Sequence, residues 1–242
     1  STVTTHAPTE ANRAYLAKSF LEEVRNRYAG SHLGRQELDG ELIEDRADAL
    51  WQRKLIENGR VQVAPELARI VVAVDPPVTS GPQSDACGIV VVGAVTEGPV
   101  GDWRAYVLED ATVEAASPNE WAEAAVAAVH RHSASRLVAE VNQGGEMVEA
   151  VIRQIDPIVP FKGVHASKGK IIRAEPVAAL YEQKRVSHVR GLGDLEDQMC
   201  EMTTQGFLGK GSPDRVDALV WALYDLMVLP SRSYRNPRMR AL

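Results

Sequence analysis

The stretch IVVAVD, residues 70–75, indicates the fold of this 242-residue chain more clearly than any other segment. Five consecutive apolar residues, most of them β-branched, are typical of a strand that is covered on both faces. The last residue of this strand is acidic, Asp75, and two prolines follow it directly. The pattern therefore predicts a central strand of a layered domain, with an acidic side chain at its carboxyl end.

The chain ahead of this strand has a different character. Residues 1–66 are charged and only modestly apolar, with helical patterns over 11–28 and 46–56 and no uninterrupted apolar strand. We therefore expect two parts, a short helical N-terminal segment over 1–66 and a separate domain over 67–242.

The elements after residue 75 change from strands to alternating strands and helices. Apolar runs over 88–95 and 103–108, each preceded by a turn-forming loop, predict an antiparallel meander with the first strand. Further strands are predicted over 136–141 and 158–164, and helices over 117–132, 146–155, 170–184 and 214–228. Ser117 is expected to form a capping box with Glu120, and Ser212 to cap the last helix. This order predicts an α/β fold, a mixed sheet with flanking helices.

The composition of the chain favours a globular domain and argues against proteins that coat nucleic acid or span a membrane. Hydrophobic residues make up 45% of the chain and charged residues 25%, as in ordinary globular domains. The formal net charge of −6 argues against a protein that coats nucleic acid. No run approaches the ~18 apolar residues of a membrane helix, and the first residues lack the pattern of a signal peptide. We expect a cytoplasmic protein with no membrane partner.

Four acidic residues lie at the ends of elements that are predicted to be buried. Asp75 closes the first strand, Glu140 lies near the end of the strand over 136–141, and Asp214 and Asp217 lie one turn apart at the start of the last helix. Buried carboxylates are costly unless they bind a cation. Mg²⁺ prefers oxygen ligands, and two such ions about 4 Å apart can bind both the attacking and the leaving oxygen of a phosphodiester. We therefore expect these carboxylates to converge.

Each acidic residue also has a structural interpretation. An aspartate before two prolines is often a turn former, and one in the first turn of a helix often interacts only with the helix dipole. Glu140 is harder to explain in this way, because it lies between Ala139 and Val141 in a strand that is predicted to be buried. Its occurrence together with Asp75 and Asp214 favours a catalytic site.

One basic stretch stands out in this acidic chain. Residues 161–190 contain seven lysines and arginines and two glutamates, so seven minus two gives a local charge of +5. Such a cluster is the main candidate for contacts to DNA phosphates, although a solvated helix face would have the same composition. The residues predicted to bind DNA are Lys162, His165, Lys168, Lys170 and Arg173.

Five segments occur in the order found in the large subunit of phage terminase, the enzyme that packages viral DNA and cuts it to length. They are IVVAVDP at 70–76, SDACGIV at 84–90, EVNQGG at 140–145, KGKIIRAEP at 168–176 and SPDRVDALVW at 212–221. Because all five occur in the right order, the chain resembles this family over nearly its whole length.

The resemblance implies a ribonuclease H-like endonuclease that uses two Mg²⁺ or Mn²⁺ ions to cut double-stranded concatemeric DNA. Asp75, Glu140 and Asp214 match the metal-binding triad, and Asp217 and Asp85 match accessory acidic positions. Residues 1–66 look like the end of the family's packaging ATPase domain with its linker. No G-x-x-x-x-G-K-[ST] phosphate loop occurs in the chain, so we expect a fragment without the ATPase site.

The expected partners follow from the same resemblance. They are double-stranded DNA, the portal protein, the small terminase subunit and the family's own ATPase domain, in the cytoplasm of the host cell. Two other functions stay open at this point. A Holliday-junction resolvase or transposase-like nuclease of the same fold would prefer branched DNA, and a non-catalytic docking module of a packaging motor would bind no divalent metal.

Overall fold

The structure, a computed structural model, describes residues 46, 48–77, 86–142 and 145–234. Within these residues the main strands are β1 (Arg69–Asp75), β2 (Gly88–Val95), β3 (Arg104–Asp110), β4 (Arg136–Glu140), β5 (Phe161–Val164) and β6 (Val186–His188). They form one sheet in the order β5-β4-β1-β2-β3-β6. The first three strands are an antiparallel meander, β4 and β5 continue it in parallel with β1, and β6 runs parallel to β3. The predicted meander and mixed sheet are confirmed.

Helices cover both faces of the sheet. They are α1 (Arg53–Asn58), α2 (Pro118–Arg131), α3 (Gly145–Ile155), α4 (Lys170–Glu182), α5 (Gly193–Glu201), α6 (Asp214–Leu223) and α7 (Leu229–Tyr234). A 3₁₀ turn (Val100–Asp102), a π-helical segment (Tyr224–Val228) and a small hairpin of β7 (Met202–Thr203) and β8 (Gly206–Phe207) complete the described elements. No described helix is both long and apolar enough to cross a bilayer.

The sequence predictions agree with some of these elements and differ from others. The predicted capping box of Ser117 and Glu120 is present at the start of α2, and α4 continues through Pro176. The elements β6, α5 and the β7–β8 hairpin were not predicted, because they are short and their apolar patterns are weak. The helix predicted over 11–28 lies outside the described residues.

The alternation of side chains along β1 assigns its residues to two cores. Val72 and Val74 pack with α2 and α3, whereas Val71 and Ala73 pack with α4 and α6. Asp75 follows Ala73 by two residues, so its side chain lies on the face that α4 and α6 cover. The register of the sheet therefore decides which helices can bring further groups to Asp75.

Residues ahead of β1 pack into the core that contains Val71 and Ala73. Trp51 is fully buried, and its ring meets that of Tyr181 edge to face, with 6.2 Å between ring centroids. The helix predicted over 46–56 begins only at Arg53, because Ala49 forms an antiparallel bridge with Thr203 and the backbone there is not helical. The predicted domain boundary at residue 66 stays a prediction, since segments on both sides of it contribute to one core.

Glu196 on α5 is a buried carboxylate that connects this preceding segment to the sheet. Its oxygens lie 3.0 Å from His188 Nδ1 and 2.7 Å from Arg60 Nη2, and 4.0 Å from Arg53 Nη1. Burial opposes the charge, but the hydrogen bond from His188 and the charges of His188 and Arg60 outweigh it and lower the pKa of Glu196. Glu196 is therefore ionised and paired within the core.

We expect Glu196→Ala to lower the free energy of unfolding by about 3–5 kcal/mol, because it leaves buried cationic groups without their partner. Chemical denaturation monitored by circular dichroism measures this change. The matched control is Glu182→Ala at the exposed end of α4, which should change stability by no more than about 0.5 kcal/mol. Equal effects of the two substitutions would contradict a structural role for the buried carboxylate.

Candidate active site

The predicted carboxylates meet at the carboxyl ends of β1 and β4. These strands are parallel neighbours, and Val74 lies opposite Ala139, so the next residues, Asp75 and Glu140, lie side by side. Val138 packs into the same core as α6, and Glu140 lies two residues after it on the same face of the strand. The carboxylates of Asp75 and Glu140 therefore both lie on the face that α6 covers.

The N-terminus of α6 brings the other two carboxylates to this edge. Asp214 and Asp217 are both buried in the first turn of the helix. Gly88, which pairs with Asp75 across the sheet, allows this approach, because an added Cβ would overlap the backbone carbonyl of Asp214. The absence of a side chain at residue 88 thus lets α6 start beside Asp75.

Three hydrogen bonds orient Glu140. Asn142 Nδ2 donates to Oε1 at 2.7 Å, while Trp221 Nε1 and Arg173 Nη1 donate to Oε2 at 2.8 and 3.1 Å. The Arg173 guanidinium also lies over the Trp221 ring, 4.6 Å from its centroid. These contacts link the end of β4 to both α4 and α6.

Asp217 interacts with two cations from the first turn of α4. Lys170 Nζ lies 2.5 Å from Oδ2, and Arg173 Nη2 lies 3.4 Å from Oδ1. Lys170 also donates to Ser212 Oγ at 3.2 Å. Sequence analysis predicted Ser212 as the cap of the last helix, and this was wrong, because α6 begins at Asp214 with Pro213 at the N-cap position and no side-chain cap.

The carboxylates of the site influence one another's ionisation. Burial raises the pKa of Asp75 well above its usual range, and the negative charges of Asp217, Glu140 and Asp214 raise it further, while Lys170 offsets only part of this. Burial also raises the pKa of Asp217, against the opposing influence of Lys170. Among the described residues, two cations, Lys170 and Arg173, contact these carboxylates, which leaves an excess of about two negative charges when all four carboxylates are ionised.

This excess charge and the all-oxygen donor set suit a hard divalent cation. In the described ranges, however, no three side chains of the His, Cys, Asp or Glu type are already arranged around a common metal position. Oxygens of Glu140 and Asp217 are instead directed at Arg173 and Lys170. A metal would have to replace or share these ion pairs. Asp85, the fifth acidic residue predicted as a ligand, lies outside the described residues.

The structure separates the residues that were predicted to bind DNA. Lys170 and Arg173 lie among the carboxylates, while His165 and Lys168 are exposed in the loop between β5 and α4. Lys162 lies away from this group and contacts Asp225. DNA contact by any of these residues stays a prediction.

Three residues of the site were missed by the sequence analysis. They are Gly88, Asn142 and Trp221. Helical spacing could have identified Trp221, because it follows Asp217 by four residues and Asp214 by seven and so shares their helix face. No local pattern marks Gly88, since its role depends on a helix that begins more than 100 residues later.

A family model described as the terminase RNaseH-like domain matches residues 72–226, more than half of the chain. The chain belongs to this terminase family. The match begins within β1 and ends within the π-helical segment, so it contains all four carboxylates. The predicted family and the ribonuclease H-like fold class are therefore confirmed.

Solved structures of terminase nucleases have a similar fold. The large terminase of a thermophilic bacteriophage is 13% identical, with a TM-score of 0.53, over 90% of this chain and 53% of that one. The nuclease domain of the large terminase subunit of bacterial virus Sf6 is 13% identical, with a TM-score of 0.51, over 72% of this chain and 98% of that one. A variant of the Sf6 domain, solved with manganese and beta-thujaplicinol, is 14% identical, with a TM-score of 0.50 and the same coverage.

These comparisons describe a fold rather than close relatives. This terminase-family chain spans about half of the thermophilic phage protein and nearly all of the Sf6 nuclease domain. A search of curated protein sequences found no match.

We expect Gly88→Ala to destabilise the protein by about 1–3 kcal/mol, because the new methyl group must displace the start of α6 from β2. Thermal and chemical denaturation measure the loss. Gly101→Ala is the matched control, since nothing lies within 4 Å of a Cβ at that position. A Gly88→Ala protein as stable as this control would contradict the close approach of Asp214 to β2.

Proposed function

We propose that this chain is a metal-dependent endonuclease that cuts double-stranded concatemeric viral DNA during genome packaging. The convergence of Asp75, Glu140, Asp214 and Asp217 at one edge of a terminase-family sheet carries this proposal. The opposing interpretation, a docking module in which the acidic residues are structural, accounts less well for four mutually repelling carboxylates in one place.

The four carboxylates, with Asp85 as a further ligand, would hold two Mg²⁺ or Mn²⁺ ions. Such ions supply a Lewis acid that lowers the pKa of a bound water and stabilises the oxygen that leaves the phosphodiester. A solved relative with manganese supports the choice of a divalent ion. The protein's part is to keep the oxygen ligands close together and oriented.

The side chains around the carboxylates have positioning roles in this proposal. Trp221 and Asn142 hold Glu140 from two sides. Lys170 and Arg173 neutralise part of the charge, and both carry donors that can turn from a carboxylate to a phosphate oxygen of the substrate. The exposed residues His165 and Lys168 lie on the loop leading to α4, where they can meet DNA that approaches the site.

The wider setting of the proposal is a packaging motor in the host cytoplasm. In it the nuclease would act with its own ATPase domain, the portal protein and the small terminase subunit. A motor of this kind delivers DNA to the nuclease at a high local concentration, so a domain with a net charge of −6 needs only modest intrinsic affinity for DNA.

We expect Asp75→Asn to reduce cleavage of supercoiled plasmid in Mg²⁺ or Mn²⁺ by about 100-fold or more, because metal-assisted hydrolysis loses several kcal/mol of transition-state stabilisation. The same substitution should raise the Tm of the metal-free protein, since it removes one of the repelling charges. Agarose gels and thermal melts measure the two effects.

The control for this experiment is Asp102→Asn in the exposed 3₁₀ turn, which should change neither property. Undiminished cutting by the Asp75→Asn protein would exclude this site. Preference of the wild-type protein for branched over linear DNA would point instead to a resolvase of the same fold.

We also expect Lys168→Glu to weaken binding of a linear DNA duplex several-fold at low salt, with a smaller effect at high salt, because the contact is electrostatic. Fluorescence anisotropy with a labelled duplex measures this. Lys54→Glu, at an exposed position of α1, is the matched control. Equal affinities of the two variants would remove the β5–α4 loop from the proposed DNA surface.

A further inference from the structure

A second charged cleft lies at the opposite end of the sheet from the carboxylates. Arg69 and Arg136 begin β1 and β4, Lys162 lies in β5, and all three side chains reach Asp225. Lys162 Nζ lies 2.5 Å from Oδ1, and Arg136 Nη1 and Arg69 Nη2 lie 3.1 and 3.6 Å from Oδ2. We name this group of four residues the basic cleft.

The basic cleft holds more positive charge than its buried carboxylate can neutralise. Asp225 contributes one negative charge against three positive ones, which leaves a local excess of +2 when all four groups are ionised. The Asp225 side chain is 3% exposed, whereas those of Arg69, Arg136 and Lys162 are 35%, 37% and 36% exposed. Asp225 therefore orders three cations whose outer surfaces stay open to a further anion.

The surroundings of these cations form a shallow cavity that is open to solvent. Its volume is about 450 Å³, and Ser135, Leu229 and Pro230 complete the walls. Asp225 belongs to the π-helical segment Tyr224–Val228, and π-helical turns inside longer helices occur frequently at functional sites. A cavity with a net positive charge and several N–H donors suits an oxyanion such as a phosphate.

The position of the basic cleft relates it to the candidate active site. Arg69 and Asp75 are the two ends of β1, six residue steps apart, which is roughly 20 Å at about 3.3 Å per residue. The same length of duplex DNA contains about six base pairs at 3.4 Å per pair. The separation between the basic cleft and the candidate active site along β1 therefore corresponds to about six base pairs of duplex.

We propose that the basic cleft binds a backbone phosphate of the DNA that the carboxylate site cuts, as a second anchor about six base pairs from the scissile bond. This inference rests on the proposed nuclease function. Since phosphate contacts position a duplex without reading its sequence, the anchor would set the angle of the DNA across the domain. An acidic segment of a partner protein is the competing occupant, and the alignment with the carboxylate site favours DNA.

Two variants test the anchor with a labelled 20-base-pair duplex, in Ca²⁺ to slow cleavage, over a range of salt concentrations. Arg136→Gln removes one cation but leaves Asp225 two partners, and Ser135→Glu keeps all three cations and adds a negative charge at an exposed position of the wall. We expect each to weaken binding about fivefold, and the slope of log Kd against log salt to fall by about 0.9 for one lost phosphate contact.

The matched control is Arg153→Gln on α3, where the arginine pairs only with the exposed Glu149 and the Pro157 carbonyl in the contacts described. Circular dichroism confirms that each variant is folded. The proposal would be overturned if both cleft variants had the same DNA affinity and the same salt slope as the control. The cleft would then bind either an acidic peptide or nothing.

A phosphate group in the cleft could also come from free inorganic phosphate rather than from DNA, and a thermal melt with added phosphate distinguishes the two. If phosphate raises the Tm of the wild-type protein but the cleft variants bind DNA normally, the cleft takes a free phosphate and the proposal is wrong. Plasmid cleavage by the wild-type protein tests the nuclease separately. If the wild-type protein cleaves plasmid and the cleft variants bind DNA as the wild type does, only the anchor is refuted. If the wild-type protein does not cleave plasmid, the proposed nuclease function is refuted.

Discussion

The mutual repulsion of four carboxylates at one edge of the sheet is the constraint on which the site depends. Asp75, Glu140, Asp214 and Asp217 lie close enough for their charges to raise the pKa of Asp75. Among the described residues, the cations Lys170 and Arg173 oppose this repulsion, and both come from the first turn of α4. The rest of the domain has to hold β1, β4, α4 and α6 together against it.

Packing around α6 provides much of that resistance. The helix is buried along nearly its whole length, and its start is held by Gln198 on α5, which accepts from the Arg215 N–H at 3.1 Å and reaches the Ser212 carbonyl at 3.5 Å. Glu196, two residues earlier on α5, is itself bound by His188 and Arg60. The segment ahead of β1 is thereby connected, through α5, to the helix that carries Asp214 and Asp217.

The distribution of charge also has a physical logic. The chain is acidic overall, and the carboxylate site adds to that, so DNA would be repelled unless cations were concentrated where the backbone passes. Among the described residues, cations lie at both ends of the sheet, with Lys170 and Arg173 at the carboxylates and the basic cleft at the other end. Asp225 differs from the four site carboxylates because the cations around it outnumber it.

The sequence by itself determined the layered α/β fold, the meander, the start of α2 and the identity of the acidic residues, because these depend on local patterns of apolar residues, caps and carboxylates at element ends. Only the tertiary structure decided which groups share the site. Lys162 and Lys170 are eight residues apart in one basic stretch, yet one contacts Asp225 and the other Asp217. Likewise, Ser212 binds Lys170 rather than capping α6, and Gly88 matters because a distant helix packs on it. Such pairings depend on sheet register and on how helices cross the sheet, which involve residues far apart in the chain and leave little trace in local sequence.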